Sequence, residues 1–342
     1  MKIFKLKIKY SFLFLLILSF IILKYKICLK KKKKLLILVD ISGCKSSRGP
    51  SIFNKGIKDI LPYNANKCSF ISSKGIYPSI SNNKVDYFYF TCPSFKEKTY
   101  NEWVKISKAN KLILGPNFVP QKWFSFPNKK NWKEKRFKEI IETIKGIAVH
   151  TYRAKIHLAK KSNTLNKLKK YKIIRQCSNL KPKFIKNFKE RTIDILFFEK
   201  YIDLNHKEQG KQLYNLLKKT KKKIKRLKYG YYNKKEMEKL SNNSKFIIYF
   251  SFFDIGPIGL IEIQNHGVIL FTHQKEFVVD KTSSFFVPEL ADKYDMKSAF
   301  NIIMEKIEII IKSNPNSELI AKNNQEYYKC QNSLEELCKN LE

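Results

Sequence analysis

Residues Phe252 to Gln274 read FFDIGPIGLIEIQNHGVILFTHQ. Two acids, Asp254 and Glu262, stand eight positions apart in an apolar stretch, with Gly256, Pro257 and Gly259 between them. The preceding run, KFIIYFSFF from Lys245 to Phe253, is short, aromatic and almost wholly apolar. It reads as a buried strand that delivers Asp254 at its C-terminal end, where open α/β sheets bind ligands. Gly256 and Gly259 permit a tight turn and a close backbone approach to a ligand. Pro257 suits the first position of a helix, so a helix is expected to start near Ile258. Its first free N–H groups, on Ile258, Gly259 and Leu260, and its positive dipole end suit a phosphate. Glu262 falls about one turn in, where a carboxylate can accept hydrogen bonds from a ribose diol. Leu260, Ile261 and Ile263 pack the helix down. The same spacing also fits an ordinary strand-loop-helix, with Asp254 as a cap and Glu262 on the surface.

The flanking sequence repeats the alternation. ERTIDILFFEKY predicts a buried strand, GKQLYNLLKKT a helix, KKIKRLKYGYY a basic strand and loop, and NKKEMEKLSNNS a short helix behind an Asn cap. GVILFTHQ predicts a further strand, and helices close the chain. Upstream, LLILVD followed by a Gly/Ser-rich turn, then VDYFYFTCPS, KLILG and GIAVH, predict a first set of strands with helices between them. Short continuous apolar strands fit parallel sheets buried on both faces. The chain is thus expected to be α/β, with two doubly wound Rossmann-like domains facing a cleft. The expected domains are residues 35–165 and 166–315, with a closing helix over 316–342.

The chain has 342 residues and a net charge of +40, enough length for two cores and enough charge to suggest an anionic partner. Only six of the 69 basic residues are arginine: Arg48, Arg136, Arg153, Arg175, Arg191 and Arg226. A surface selected for phosphate recognition uses the arginine fork more freely, so most of the charge reads as solvated surface and no specific nucleic-acid partner is expected. The seven cysteines show no CxxC or Cys/His cluster, and no metal site is expected. Cys330 and Cys338 can share a helix face without bonding to each other; buried or idle thiols are expected, and a disulfide or two stays open if the chain occupies an oxidising compartment.

Lysines at positions 2, 5, 7 and 9 precede an apolar run from Tyr10 to Leu23, and lysines at 24, 26 and 30–34 follow it. With the flanking lysines snorkelling, residues 1–34 read as an uncleaved N-terminal signal-anchor helix and polylysine stem, giving a single-pass membrane protein. The excess of lysines after the run points the C-terminal domain toward the cytosol. Asn242-Asn243-Ser244 is a glycosylation sequon, usable only in a lumen; it also reads simply as a loop before a strand.

The order Asp254, Gly256, Gly259, Leu260, Glu262, Gly267 and Val268 resembles the E-x7-E region of retaining GT-B glycosyltransferases. That region runs acid, glycine turn, Leu-x-x-Glu-Ala-x-x-x-Gly, then an apolar strand. The loop, helix and strand before it follow the family's order, and GIAVHTYRAKIHLAK with KIIRQCSNLKP is similar to its inter-domain passage. The resemblance spans roughly residues 146–292. It implies transfer of a sugar from a UDP- or GDP-linked donor to a glycan, lipid or protein acceptor, with retention and no further cofactor. Asp254 would contact the donor sugar and Glu262 the donor ribose. The amides of Ile258 to Leu260, with Lys200 and Lys207 or Lys211, would meet the diphosphate. Tyr231, in the loop Tyr229 to Tyr232, would stack on the base. His150, at the end of a predicted strand, would orient the acceptor, or as a lone histidine serve only structure; the loop Ser42 to Gly49 is a second candidate wall, and packing roles suit His266 and His273. The sequence departs from the family where Asp254 replaces a glutamate and where Asn265 and His266 replace small residues. Golgi enzymes of this kind are habitually lumenal, against the lysine count, so Golgi or ER is expected with either orientation open. Two other readings use the same residues. One is a basic, membrane-tethered protein binding anionic lipid or nucleic acid through Lys30 to Lys34 and Lys218 to Arg226. The other is an inactive GT-B scaffold.

Overall fold

The computed structural model describes residues 34–39, 49–64, 68–72, 85–90, 111–115, 144–150, 171–179, 181–200, 204–251, 258–290 and 295–341, with isolated positions between 104 and 109. Strands β1 (Lys34–Val39), β2 (Tyr63–Asn64), β3 (Cys68–Ser72), β4 (Tyr87–Phe90), β5 (Leu112–Leu114), β6 (Gly146–Val149) and β7 (Tyr171–Ile173) form a seven-stranded sheet in the order β2-β3-β1-β4-β5-β6-β7. Only β2 runs antiparallel to its neighbour. Strands β8 (Ile193–Lys200), β9 (Ile224–Lys228), β10 (Ser244–Ser251), β11 (Ile269–Thr272) and β12 (Ser284–Phe286) form a second, wholly parallel sheet in the order β12-β11-β10-β8-β9. The described helices are α1 (Gly49–Lys58), α2 (Leu204–Lys218), α3 (Lys234–Asn243), α4 (Ile258–Gln264), α5 (Met296–Ser313), α6 (Ser317–Tyr327) and α7 (Cys330–Lys339).

The α/β class with two parallel sheets agrees with the pattern of the sequence. In β8 and β10 successive side chains point to opposite faces, and both faces are buried. Ile195, Phe197, Phe246, Ile248 and Phe250 pack on one side with Leu213, Ile303 and Ile307 of α2 and α5. Leu196, Phe198, Ile247 and Tyr249 pack on the other with Met237 of α3 and Leu260, Ile261 and Ile263 of α4. Burial on both faces is why these strands read as unbroken apolar runs. At the opposite extreme, edge strand β9 exposes Lys225, Arg226 and Lys228, charges that oppose pairing with another chain.

Three features differ from the sequence expectation. The first sheet continues to β7, past the expected boundary at residue 165, because Tyr171, Lys172 and Ile173 pair with β6 before the crossover. The closing segment is two helices, and the second returns to the first sheet. There Leu334, Leu337, Cys338 and Leu341 share a core with Leu36, Phe53, Ile57, Tyr89 and Ala148. The sequon ends α3 and starts β10: Asn242 Oδ1 accepts from Lys186 N at 2.9 Å, and Ser244 is buried. Among the described residues no helix is long and apolar enough to cross a membrane; the expected anchor, over residues 1–34, lies outside them apart from Lys34, which begins β1.

Candidate functional site

In the second sheet the chain runs from β8 to β9 on one side, then crosses back to β10 on the other. The C-terminal ends of β8 and β10 therefore bound the topological switch point, the crevice where doubly wound sheets take ligands. Lys200 and Ser251 are register partners at that end. Lys200 is half-buried, and its Nζ lies 4.3 Å from the Tyr229 ring centroid. Beside it, buried Glu199 accepts from Arg226 Nη2 at 2.8 Å.

Asp254 and Gly256 fall in residues 252–257, outside the described residues, as do residues 42–48 of the expected second wall. The ends of the 252–257 segment are placed: Ser251 beside Lys200, and Ile258 opening α4 as the sequence predicts. Ile258 packs into the core of the first sheet with Phe53 and Ile57 of α1. Gly259 faces the loop between β9 and α3. A Cβ there would come within 3.0 Å of Tyr232 Oη and 3.8 Å of Phe198 Cζ, so glycine lets α4 seat against that loop. Leu260 is a core residue.

Glu262 is half-buried, and its Oε1 is buried with no hydrogen-bond partner among the described residues. Burial pushes its pKa up to about 7; Lys234 opposes this and Glu238 adds to it, both from α3. A desolvated carboxylate oxygen without a protein donor is costly unless a ligand supplies one.

The tyrosine loop stands at the same end of the sheet. Tyr229 N donates to Glu199 O at 3.0 Å, continuing the ladder, and Gly230 then turns the chain at φ +85°. Tyr229 and Tyr231 are exposed, Tyr231 at 78%. Lys228 Nζ lies 4.6 Å from the Tyr231 ring centroid. Asn233 caps α3 by accepting from Glu236 N at 2.9 Å, as its sequence position predicts. The second lysine of the expected pair is less well placed. Lys207 is exposed at the start of α2, and Lys211 is tied to Glu208 of the same helix at 2.6 Å.

His150 follows β6 and is buried. Its Nδ1 lies 3.1 Å from Ile174 O, and since a carbonyl only accepts, Nδ1 carries the proton. Nε2 is left as a buried acceptor with no partner among the described residues. Burial lowers the pKa to about 3, so the ring is neutral. Phe53 meets it edge-on at 5.0 Å, and Phe53 shares a core with Ile258, so α1 lies between His150 and the start of α4.

Two polar residues at this end of the sheet escaped the sequence reading. Ser251, at the end of β10, and Gln274, just past β11, are both buried, and the Ser251 hydroxyl and both Gln274 amide atoms lack partners among the described residues. Their only sequence signal is position, immediately after an apolar strand. His266 and His273 are buried, His273 next to Gln274 in the chain, and His266 O accepts from Arg191 Nη2 at 2.6 Å.

No family model and no curated protein matches this chain. Among solved structures, sucrose-phosphate synthase from Thermosynechococcus elongatus aligns with a TM-score of 0.48 at 9% identity, over 90% of this chain and 97% of that one. A glycosyltransferase from Rickettsia africae aligns with a TM-score of 0.44 at 14% identity, over 90% and 96%. TarM aligns with a TM-score of 0.44 at 13% identity, and this chain spans 58% of its length. Likeness of this degree assigns neither substrate nor reaction.

Proposed function

We propose that this chain is a glycosyltransferase of the GT-B type, moving a sugar from a nucleotide-linked donor to a glycan, lipid or protein acceptor. The observation that carries the reading is Glu262. Its carboxylate stands on a helix at the switch point of a parallel sheet, one oxygen desolvated and without a donor among the described residues. A ribose diol has the two hydroxyls such an oxygen lacks.

The remaining roles follow from what surrounds it. The first N–H groups of α4, at Ile258, Gly259 and Leu260, have no partners within the helix and suit a diphosphate. Lys200 at the end of β8 supplies positive charge to the same crevice, and Lys207 extends it. As the bond to the leaving group breaks, negative charge grows on the diphosphate; lysine and amide dipoles held in place lower that barrier. The exposed Tyr231 offers a face for the base. Asp254, between Ser251 and Ile258, reaches the donor sugar, and retention follows the resemblance of this stretch. His150, neutral with Nε2 as a hydrogen-bond acceptor, orients an acceptor hydroxyl. The cysteine pairs Cys68–Cys338 and Cys177–Cys330 support an oxidising compartment such as the ER or Golgi lumen, with the chain tethered through its N-terminal apolar run.

The test is a calorimetric titration of the full chain with UDP and with GDP, repeated for Glu262→Ala and Asp254→Ala. One nucleotide is expected to bind, the first variant to lose it, and the second to keep the nucleotide but lose hydrolysis of the matching nucleotide sugar. Binding of neither nucleotide sinks the donor-site reading and leaves the inactive scaffold.

A further inference from the structure

A cleft of about 480 Å³ lies between α5, α6 and the segment leading into β12, and its lining includes Lys281 and Thr282, ahead of that strand. The switch-point site uses the opposite, C-terminal ends of the strands. The cleft is apolar within: Phe285, Ile309, Ile310 and Leu319 line it, and Lys281 and Lys306 are the charged members. Among the described residues lining it there is no carboxylate.

Ile309 and Leu319 are anomalous for a surface. They are 61% and 55% exposed, and of the four exposed large side chains without a polar atom among the described residues (Phe184, Phe286, Ile309 and Leu319) two meet here. In α5 the buried face is Met296, Ala299, Ile303 and Ile307. Ile309 is two positions beyond Ile307, on the far side of a helix of 3.6 residues per turn, so the core does not require it. Glu305 and Glu318 neighbour lining residues in the chain but do not line the cleft, and two further neighbours, Asp280 and Glu308, are engaged elsewhere. Asp280 Oδ1 accepts from Thr282 and Ser283, and Glu308 pairs with Lys222 at 2.7 Å. Lys306 lies with Nζ 5.4 Å from the Phe285 ring centroid, bent over the apolar floor.

We propose that this cleft binds a single-chain anionic amphiphile: an acyl chain lying along Ile309, Ile310, Leu319 and Phe285, with its carboxylate or phosphate head between Lys281 and Lys306. The apolar lining excludes a wholly polar anion such as inorganic phosphate, and two lysines without a lining carboxylate exclude a cationic head. The volume falls in the range of roughly 300–1,000 Å³ that holds one small ligand, so a lone chain fits better than the surface of a bilayer. This proposal stands independently of the donor site.

The experiment uses the full chain in zwitterionic nanodiscs and a diazirine-bearing tetradecanoic acid as photoprobe, with labelled peptides mapped by mass spectrometry. Label is expected in the peptides that carry residues 281–286 and 306–320. Competition by decanoate, undecanoate and dodecanoate should strengthen roughly fourfold per methylene. Dodecyltrimethylammonium and the methyl ester should compete at least tenfold less well than dodecanoate. Lys281→Glu with Lys306→Glu should cut labelling at least tenfold, and so should Ile309→Asp with Leu319→Asp. All four positions are at the surface or half-buried, and circular dichroism checks that the fold persists. Label spread along the chain overturns the proposal. So does equal competition by the cation or the ester, unchanged labelling in either double variant, or label in the cleft only from a diacyl probe embedded in the bilayer.

Discussion

Glu262 combines a structural cost with a chemical opportunity. Folding takes one oxygen of its carboxyl out of water with no donor for it among the described residues, so the folded state binds the proton more tightly than the unfolded chain, with a pKa of about 7 against 4.5. Stability from this group is therefore full below the unfolded value and is lost as pH rises through about 7. Glu262→Gln should match the parent near about pH 4 and exceed its unfolding free energy by on the order of 1–2 kcal/mol above about pH 8, solvent screening holding the gain below the full shift. Chemical denaturation at the two pH values measures this, and equal stabilities throughout would remove the desolvated carboxylate from the account. Nucleotide binding should move the other way. The diol donates to the ionised form, so affinity should rise roughly tenfold between about pH 6 and pH 8 and be flat in Glu262→Gln. Ser251 follows the same logic without titrating: Ser251→Ala removes a buried hydroxyl with no described partner and should be neutral to about 1 kcal/mol stabilising. If that hydroxyl serves the ligand, the same variant should weaken nucleotide-sugar binding several-fold in calorimetry. Glu262 was legible because an acid one turn into a helix after a glycine turn has a pattern. Ser251 and Gln274 were not, since what singles them out is burial without a partner, which only the packed molecule defines. Sequence spacing along α2 does not fix whether Lys207 or Lys211 faces the crevice.

The strand-turn-helix unit around α4 is held by contacts that explain several residues of the E-x7-E-like stretch. Gly267 ends α4 at φ +72°, the left-handed region, with its N–H donating to Gln264 O at 2.9 Å. A Cβ at Gly267 would collide with the Ser317 carbonyl, so glycine also lets α6 begin against the end of α4. Asn324 Nδ2 donates to Gln264 O at 2.8 Å, and buried Arg191 donates to Ser244 O and His266 O, both at 2.6 Å. These bonds tie α6 to the end of α4 and draw the starts of β8 and β10 together. Gly267→Ala should therefore cost at least about 2 kcal/mol, from the left-handed backbone and the backbone clash together. Thermal unfolding checks this, and a loss below about 0.5 kcal/mol, the scale of an ordinary surface change, would mean α6 moves away freely. Elements with long periodic runs, such as β8, β10 and α5, were readable from sequence. Strands β2, β7 and β12 have two or three residues each, too short for an alternation to register, and they exist because a neighbouring strand end offers hydrogen bonds.

Across the whole molecule, the C-terminal helices fasten the two sheets together. The crossover segment after β7 is gripped by α7: Arg175 pairs with Glu336 at 2.7 Å, Arg175 O accepts from Ser333 Oγ at 2.7 Å, and Asn179 Oδ1 accepts from Cys330 N at 3.3 Å. Asn179 Nδ2 also donates to Gly56 O at 2.8 Å, bringing α1 into the same joint. Gly56 is required there, since a Cβ would sit 2.6 Å from Cys330 Sγ. Cys330 and Cys338 share α7 as the sequence suggests, but each pairs elsewhere, with Cys177 and Cys68, at Cα separations of 4.8 Å and 6.0 Å. The sequence could not name these pairs, because the partners stand 153 and 270 residues apart and meet only when α7 folds back onto the first sheet. Bonds closing loops this long restrict the unfolded chain strongly, with a typical contribution of about 2–4 kcal/mol each in the chain-entropy view. Reduction should therefore lower the melting temperature of the full chain, and Cys330→Ser with Cys338→Ser should melt at the reduced value whether or not reductant is present. Because α7 grips the crossover, loosening it should also increase hydrogen exchange in residues 174–179 more than in β8 or β10. Peptide mapping without reductant should recover the Cys68–Cys338 and Cys177–Cys330 links. Free thiols at all four positions, with a melting temperature indifferent to reductant, would leave the joint to the arginine-glutamate pair, the hydrogen bonds of Ser333 and Asn179 and the buried leucines of α7, and would withdraw support for an oxidising compartment.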